Sequence, residues 1–183
     1  MQEYVTDAIV LRKDSQGDID GRYTLFTKRF GKIRAKAKSS RKITSKLAPH
    51  LEPGILAKIR FFDTKGTQLI DALKFARVAL PLADLHFLSQ LLPDAEPEPA
   101  LWELLANSNS KDGADDHNSA GDKNAWSWAK ALAILGWDPE DAECVMCGAR
   151  QPSYFYITRQ EFYCATHASK ARKDAVIFID ARL

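Results

Sequence analysis

The longest apolar stretches of the 183-residue sequence, such as residues 131–135 and 175–179, fall far short of the about 20 residues a membrane helix requires. The opening MQEYVTDAIV has no basic segment ahead of an apolar one, so no secretory leader is expected and a cytoplasmic location follows. Glycine (9) and proline (8) are too few for a collagen-like or low-complexity chain. Cysteine is scarcer still, at three residues. Catalytic signatures are missing as well: there is no P-loop, no GxSxG, no HExxH and no GxGxxG. His50 and His86 have no nucleophile near them in sequence, and Asp112, Asp115 and Asp116 lack the spacing of a calcium loop. The chain is therefore not expected to be an enzyme.

The length suits one large domain or two small ones. The net charge of +2 conceals a division. Residues 1–77 hold 17 Lys or Arg against 8 Asp or Glu, whereas residues 78–183 hold 9 against 16. Residues 21–51 carry ten Lys or Arg and no acid at all. A basic surface without local counter-charge repels itself, and a bound polyanion relieves that repulsion. A solvated basic face with no ligand is the plain alternative; the length of the run favours nucleic acid.

The first half reads as short strands. Residues 4–12 are β-branched and apolar, and turn-like residues follow at 14–21. Further strands are expected at residues 23–27, 31–38, 55–62 and 67–76. Five strands with one longer connection near residues 39–53 fit a small closed barrel, the five-stranded OB-fold foremost; an SH3-like barrel or a meander would give a similar pattern. In GKIRAKAK (31–38), Ile33, Ala35 and Ala37 face one way and Lys32, Arg34, Lys36 and Lys38 the other, because strand side chains have period two. These four cations read either as an ordinary exposed face or as a phosphate track, to which Arg41, Lys42 and Lys46 add charge, Ser39, Ser40 and Ser45 add hydroxyls, and Arg22 is a weaker addition. Phosphate contacts position a strand without reading its bases, so little sequence preference is expected. Of the interleaved Tyr23, Phe26, Phe30, Phe61, Phe62 and Phe75, at least half are expected in the core and one or two are free to stack on bases.

The second half reads as helices and a metal module. Leu82, Leu85, Leu88 and Leu92 recur at helical spacing over residues 81–92, and a second helix is expected at 99–106. Residues 107–124 are polar, without periodicity, and expected to form a disordered loop. A third helix, at 126–135, ends at Gly136. Cys144, Cys147, Cys164 and His167 form C-x2-C-x16-C-x2-H and include every cysteine of the chain. Two knuckles of two ligands each can close a tetrahedron around Zn²⁺, one ion per chain, and four protein ligands make a structural site without an open position. A disulfide is disfavoured by the odd cysteine count, and a redox CxxC lacks its usual context; unligated cysteines beside a chance histidine are the alternative.

AIVLRK…GRYTLFTKRFGKIRAKAKSSRK…SKLAPHLEPG (8–54), LHFLSQLLPDAEPEPALWELL (85–105) and AWSWAKALAILGWDPEDAECVMCG (125–148) follow one another in the order seen in the RecO family of bacterial DNA repair proteins, which the chain resembles over nearly its full length. The resemblance implies an α+β chain. An N-terminal OB barrel (1–78) is followed by a small helical domain (79–183) that carries a zinc finger at 141–170. It also implies a nucleoid-associated mediator that binds single- and double-stranded DNA, anneals complementary strands and acts with RecR to load RecA onto DNA coated by single-strand binding protein (SSB). Two other classes fit the residues themselves: an RNA- or ribosome-binding OB protein, since a phosphate track does not distinguish RNA from DNA, and a non-catalytic protein adaptor.

Overall fold

The computed structural model describes residues 2–16, 19–40, 42–63, 66–108, 126–169 and 175–179. Two compact units divide it, residues 1–118 and 119–183. The expected loop at 107–124 lies almost entirely outside the described residues.

The first unit is built on a closed five-stranded barrel in the order β1-β2-β3-β5-β4, formed by β1 (Gln2–Gln16), β2 (Asp20–Thr27), β3 (Gly31–Ala37), β4 (Ile55–Asp63) and β5 (Thr67–Arg77). β1 serves two neighbours. Its first half pairs with β4 (Gln2↔Asp63 to Ile9↔Leu56) and its second half with β2 (Ala8↔Thr27 to Gln16↔Asp20). A register shift between Val10 and Arg12 lets the strand bend from one partner to the other. Parallel pairing of Ala35–Ala37 with Thr67–Leu69 closes the ring, the small five-stranded barrel that the strand pattern predicts. Ala8, Val10, Tyr23, Leu25, Ala35, Ala37, Ala57, Ile59 and Phe61 point inward and are buried. So narrow a barrel has room for few large side chains, which is why alanine recurs on its inner face.

From Tyr23 to Thr27 β2 is buried on both faces, because its outer side is covered too: Phe26 packs on Trp102 with ring centroids 5.9 Å apart. The cover comes from α1 (Leu82–Leu91), which lies against β1, and α2 (Pro99–Asn107). Leu85, Leu88, Leu91, Leu101, Trp102 and Leu105 are buried, whereas Leu82, read as part of the apolar stripe, is exposed. These helices belong to the same compact unit as the barrel, residues 1–118. After α1 the chain crosses the β2–β3 turn. Gly31 has φ +64°, and a Cβ there would lie 2.1 Å from the Glu96 carbonyl oxygen, so the crossing requires glycine at this position. The Ala95 N–H donates to the Lys32 carbonyl at 2.9 Å, fixing the crossing segment to the free edge of β3.

The second unit contains α3 (Trp128–Ile134), whose N-terminus is capped by the Ser127 hydroxyl accepting from the Lys130 N–H, and Gly136 follows its end with φ +91°. A three-stranded sheet in the order β7-β6-β8 joins β6 (Tyr154–Tyr156), β7 (Glu161–Tyr163) and β8 (Val176–Phe178). Phe155 is its centre, against Phe162 and Trp137 with ring centroids 5.0 and 5.5 Å away. β6 and β7 form an antiparallel hairpin between the two knuckles. α4 (Ala165–Ala168) and β8 have no counterpart among the elements read from the sequence.

Candidate nucleic-acid interface and metal centre

Strand pairing sets side chains from three strands in rows on the outer wall of the barrel. Arg12, Thr24 and Arg34 make one row, and Asp14, Arg22 and Lys36 the next. Together with Ser89 and Gln90 at the end of α1 they line a groove of about 580 Å³. Arg22, Arg34 and Lys36 are exposed there, as the alternation of β3 predicts. Arg12 joins them from β1. Sequence alone does not point to it, because only the antiparallel β1–β2 pairing carries it to the cations of β3; its Nε lies 2.7 Å from Asp14 Oδ1.

Lys32 does not belong to this exposed set. It points outward as its register requires, yet its side chain is only 6% exposed, because the end of α1 and the segment after it lie on top of it. Its ammonium donates to the Ser89 carbonyl at 3.1 Å and lies 3.1 Å from Asp94 Oδ1. A lysine at a helix C-terminus satisfies a carbonyl that has no partner within the helix. Lys32 therefore fastens helix to barrel. Asp94 also reaches Arg34, with 3.5 Å between Oδ2 and a terminal guanidinium nitrogen. The acid-free run of sequence thus acquires acids in space.

The remaining expected residues are spread further along the chain. Lys38 is exposed just beyond β3, and Lys42 and Lys46 are exposed in the connection that follows. Arg41 lies outside the described residues. Ser40 is fully buried and accepts a hydrogen bond from the Tyr23 hydroxyl at 3.1 Å, so its own hydroxyl faces away from solvent. Among the aromatics, Tyr23, Phe26 and Phe61 are buried and Phe30 packs against the barrel core, whereas Phe75 is 57% exposed.

The second unit brings Cys144, Cys147, Cys164 and His167 together. Their ligand atoms all lie within 4.8 Å of one another. Cys147 Sγ and Cys164 Sγ are 3.9 Å apart, and His167 Nδ1 is 3.5 Å from Cys144 Sγ and 3.3 Å from Cys164 Sγ. A tetrahedral zinc ion with Zn–S bonds of about 2.3 Å sets its sulfurs roughly 3.8 Å apart, so the cluster has the size of the ion's first coordination shell. The Gly148 N–H donates to the Cys144 carbonyl at 2.8 Å, closing the first knuckle, and Gly148 takes φ +67° to permit it. The second knuckle opens α4, where the His167 and Ala168 N–H groups return to the Cys164 carbonyl. Burial alone would raise the Cys144 thiol. Hydrogen bonds from the backbone N–H groups of Cys164, Met146 and Cys147, with one from His167, outweigh it and bring the pKa down to about 6. At Cys147 the bond from the Ala149 N–H favours the thiolate; the neighbouring Cys144 and Cys164 sulfurs and desolvation prevail and push the thiol up. A donor set of three sulfurs and one imidazole suits a borderline-soft divalent ion, and these residues could hold one. No helix among the described residues is long and apolar enough to cross a membrane.

Two family models match most of the chain. The family model described as Recombination protein O N terminal matches residues 1–79, and that described as Recombination protein O C terminal matches residues 75–177. The chain is 28% identical to the DNA repair protein RecO of Bifidobacterium longum over 191 aligned residues, covering 96% of this chain and 79% of that protein. It is 29% identical to the RecO of Myxococcus xanthus (81% of this chain, 65% of that protein) and 32% identical to that of Dehalococcoides mccartyi (79% and 61%). With an OB barrel, a helical region and a Cys3His cluster, and with residues 1–177 matched by these two models, the chain belongs to the RecO family of DNA repair proteins.

Proposed function

We propose that the chain is a non-catalytic recombination mediator whose barrel, residues 1–78, binds single- and double-stranded DNA without sequence preference and anneals complementary strands. The observation that carries this reading is the convergence of Arg12, Arg22, Arg34 and Lys36 on one groove in a chain of this family. Two strands repel one another through their phosphates. A cationic wall lowers that repulsion by displacing condensed counterions, while base edges pointing away from the wall stay free to pair. Lys38, Arg41, Lys42 and Lys46 would extend the track along the strand. In the cell, the chain would work in the cytoplasm at the nucleoid, with RecR and SSB as partners and RecA loading as the outcome. The Cys3His cluster would hold one structural Zn²⁺, with Cys144, Cys147, Cys164 and His167 as ligands; the ion would cross-link two knuckles of a unit too small to be held by its apolar core alone.

Annealing of complementary strands pre-coated with SSB tests this reading. The protein should accelerate pairing, and the double variant Arg34→Glu/Lys36→Glu should lose the acceleration while remaining folded. Annealing unchanged in that variant would reject the groove.

A further inference from the structure

Both carboxylate oxygens of Asp94 are turned toward cations on the outer wall of the barrel. Oδ1 faces Lys32 and Oδ2 faces Arg34, at 3.1 and 3.5 Å. Two oxygens shared between neighbouring cations reproduce the charge and acceptor geometry of the non-bridging oxygens of a phosphodiester. The two cations are held differently. Lys32 is enclosed, with Ser89 as a second acceptor, whereas the Arg34 side chain is 73% exposed. Asp94 is fixed from behind, because Ala95 is hydrogen-bonded to the Lys32 backbone, yet its own side chain is 60% exposed beside the groove.

We propose that Asp94 sets the affinity of the groove: its carboxylate occupies at Arg34 the place of a backbone phosphate, and a bound strand must displace it. The inference rests on the reading of the groove as a phosphate-binding surface and adds to it a built-in competitor. The ligand displaced against is the sugar-phosphate backbone of a single strand. The Lys32–Asp94 contact stays in place while Arg34 is handed from carboxylate to phosphate. Competition of this kind shortens the residence time of a strand without changing which strands bind, which suits a surface that must release the paired product.

Asp94→Asn tests the proposal, since asparagine keeps the size of the side chain and an oxygen acceptor for Lys32 while removing the charge. Binding of a labelled single-stranded oligonucleotide at low salt should tighten about two- to fivefold, the range expected for loss of one exposed ion pair. The gain should shrink as salt rises, so the plot of log K against log salt should be steeper than for wild type, because screening weakens the competing Arg34–Asp94 pair. Asp94→Glu should bind like wild type, and in an Arg34→Gln background Asp94→Asn should bring no gain. Asp94→Asn with wild-type affinity and slope in a folded protein overturns the proposal. So does a gain that persists without Arg34, or a lowered melting temperature with binding unchanged, which would leave Asp94 as a strut for Lys32 alone. Failure of the underlying reading looks different: the wild-type protein itself would then bind strands without salt dependence, and the inference would fall with it.

Discussion

Arg22 and Lys36 are direct partners across the β2–β3 ladder, so two exposed positive side chains stand side by side on the outer wall of the barrel. Like charges directly opposite one another destabilise a sheet. Lys36→Gln should therefore raise stability by about 0.2–1 kcal/mol at low ionic strength. The gain should vanish near about 1 M salt, where the screening length is about 3 Å. The same substitution should weaken strand binding. Thermal melts at both salt concentrations, beside a binding titration, check the pair of outcomes; a variant that loses both stability and affinity would contradict the account.

Cations that look equivalent along β3 should separate on mutation. Arg34→Glu and Lys36→Glu should reduce annealing with little change in the urea midpoint. Lys32→Glu should instead cost about 1–3 kcal/mol or more, since the enclosed ammonium is lost and a carboxylate is set against the Ser89 carbonyl and Asp94. Urea melts of the three single variants make the comparison, and equal stability across the series would mean that Lys32 does not fasten the helix.

Binding should weaken linearly in a plot of log K against log salt. If Arg12, Arg22, Arg34 and Lys36 each meet one phosphate of a single strand, the slope is about −3. Oligonucleotides of different base composition should give the same slope. A flat titration would remove the electrostatic account.

Elemental analysis should find one equivalent of Zn²⁺ per chain. Chelation, or Cys144→Ser, should abolish hydrogen-exchange protection in β6, β7 and α4 and leave protection in the β1–β4 ladder unchanged. Affinity for zinc should rise with pH, because bound protons must leave the ligands. With the metal-free Cys144 thiol near 6, that residue is already a thiolate at neutral pH, so acidification below about 6 should add one further proton to be displaced and steepen the loss of metal. Metal content measured by a chromogenic chelator across the acid range follows this directly.

The parts of the molecule legible in the sequence are those set by local period and spacing. Alternation in residues 31–37 gives the outward direction of Arg34 and Lys36, and the two Cys/His pairs give the cluster. Period two says which way a side chain points but not what lies over it. Lys32 is buried by a helix end and a crossing segment some 60 residues further along, and nothing in the β3 strand announces them. Arg12 is the converse case, brought to the groove by strand pairing across a turn that local composition marks only as polar. β8 escaped because a three-residue strand is shorter than any periodicity can reveal.

The division of β1 between two neighbours has a consequence for how the chain comes to be folded. Residues Gln2–Ile9 pair with a strand that begins at Ile55, whereas β2 and β3 form a hairpin from adjacent sequence. Hairpins close in microseconds, while long-range pairing waits on loop closure. During synthesis the positive ribbon of β2 and β3 can therefore take shape before its ring is sealed. The first half of β1 would be among the last parts of the barrel to find its permanent partner.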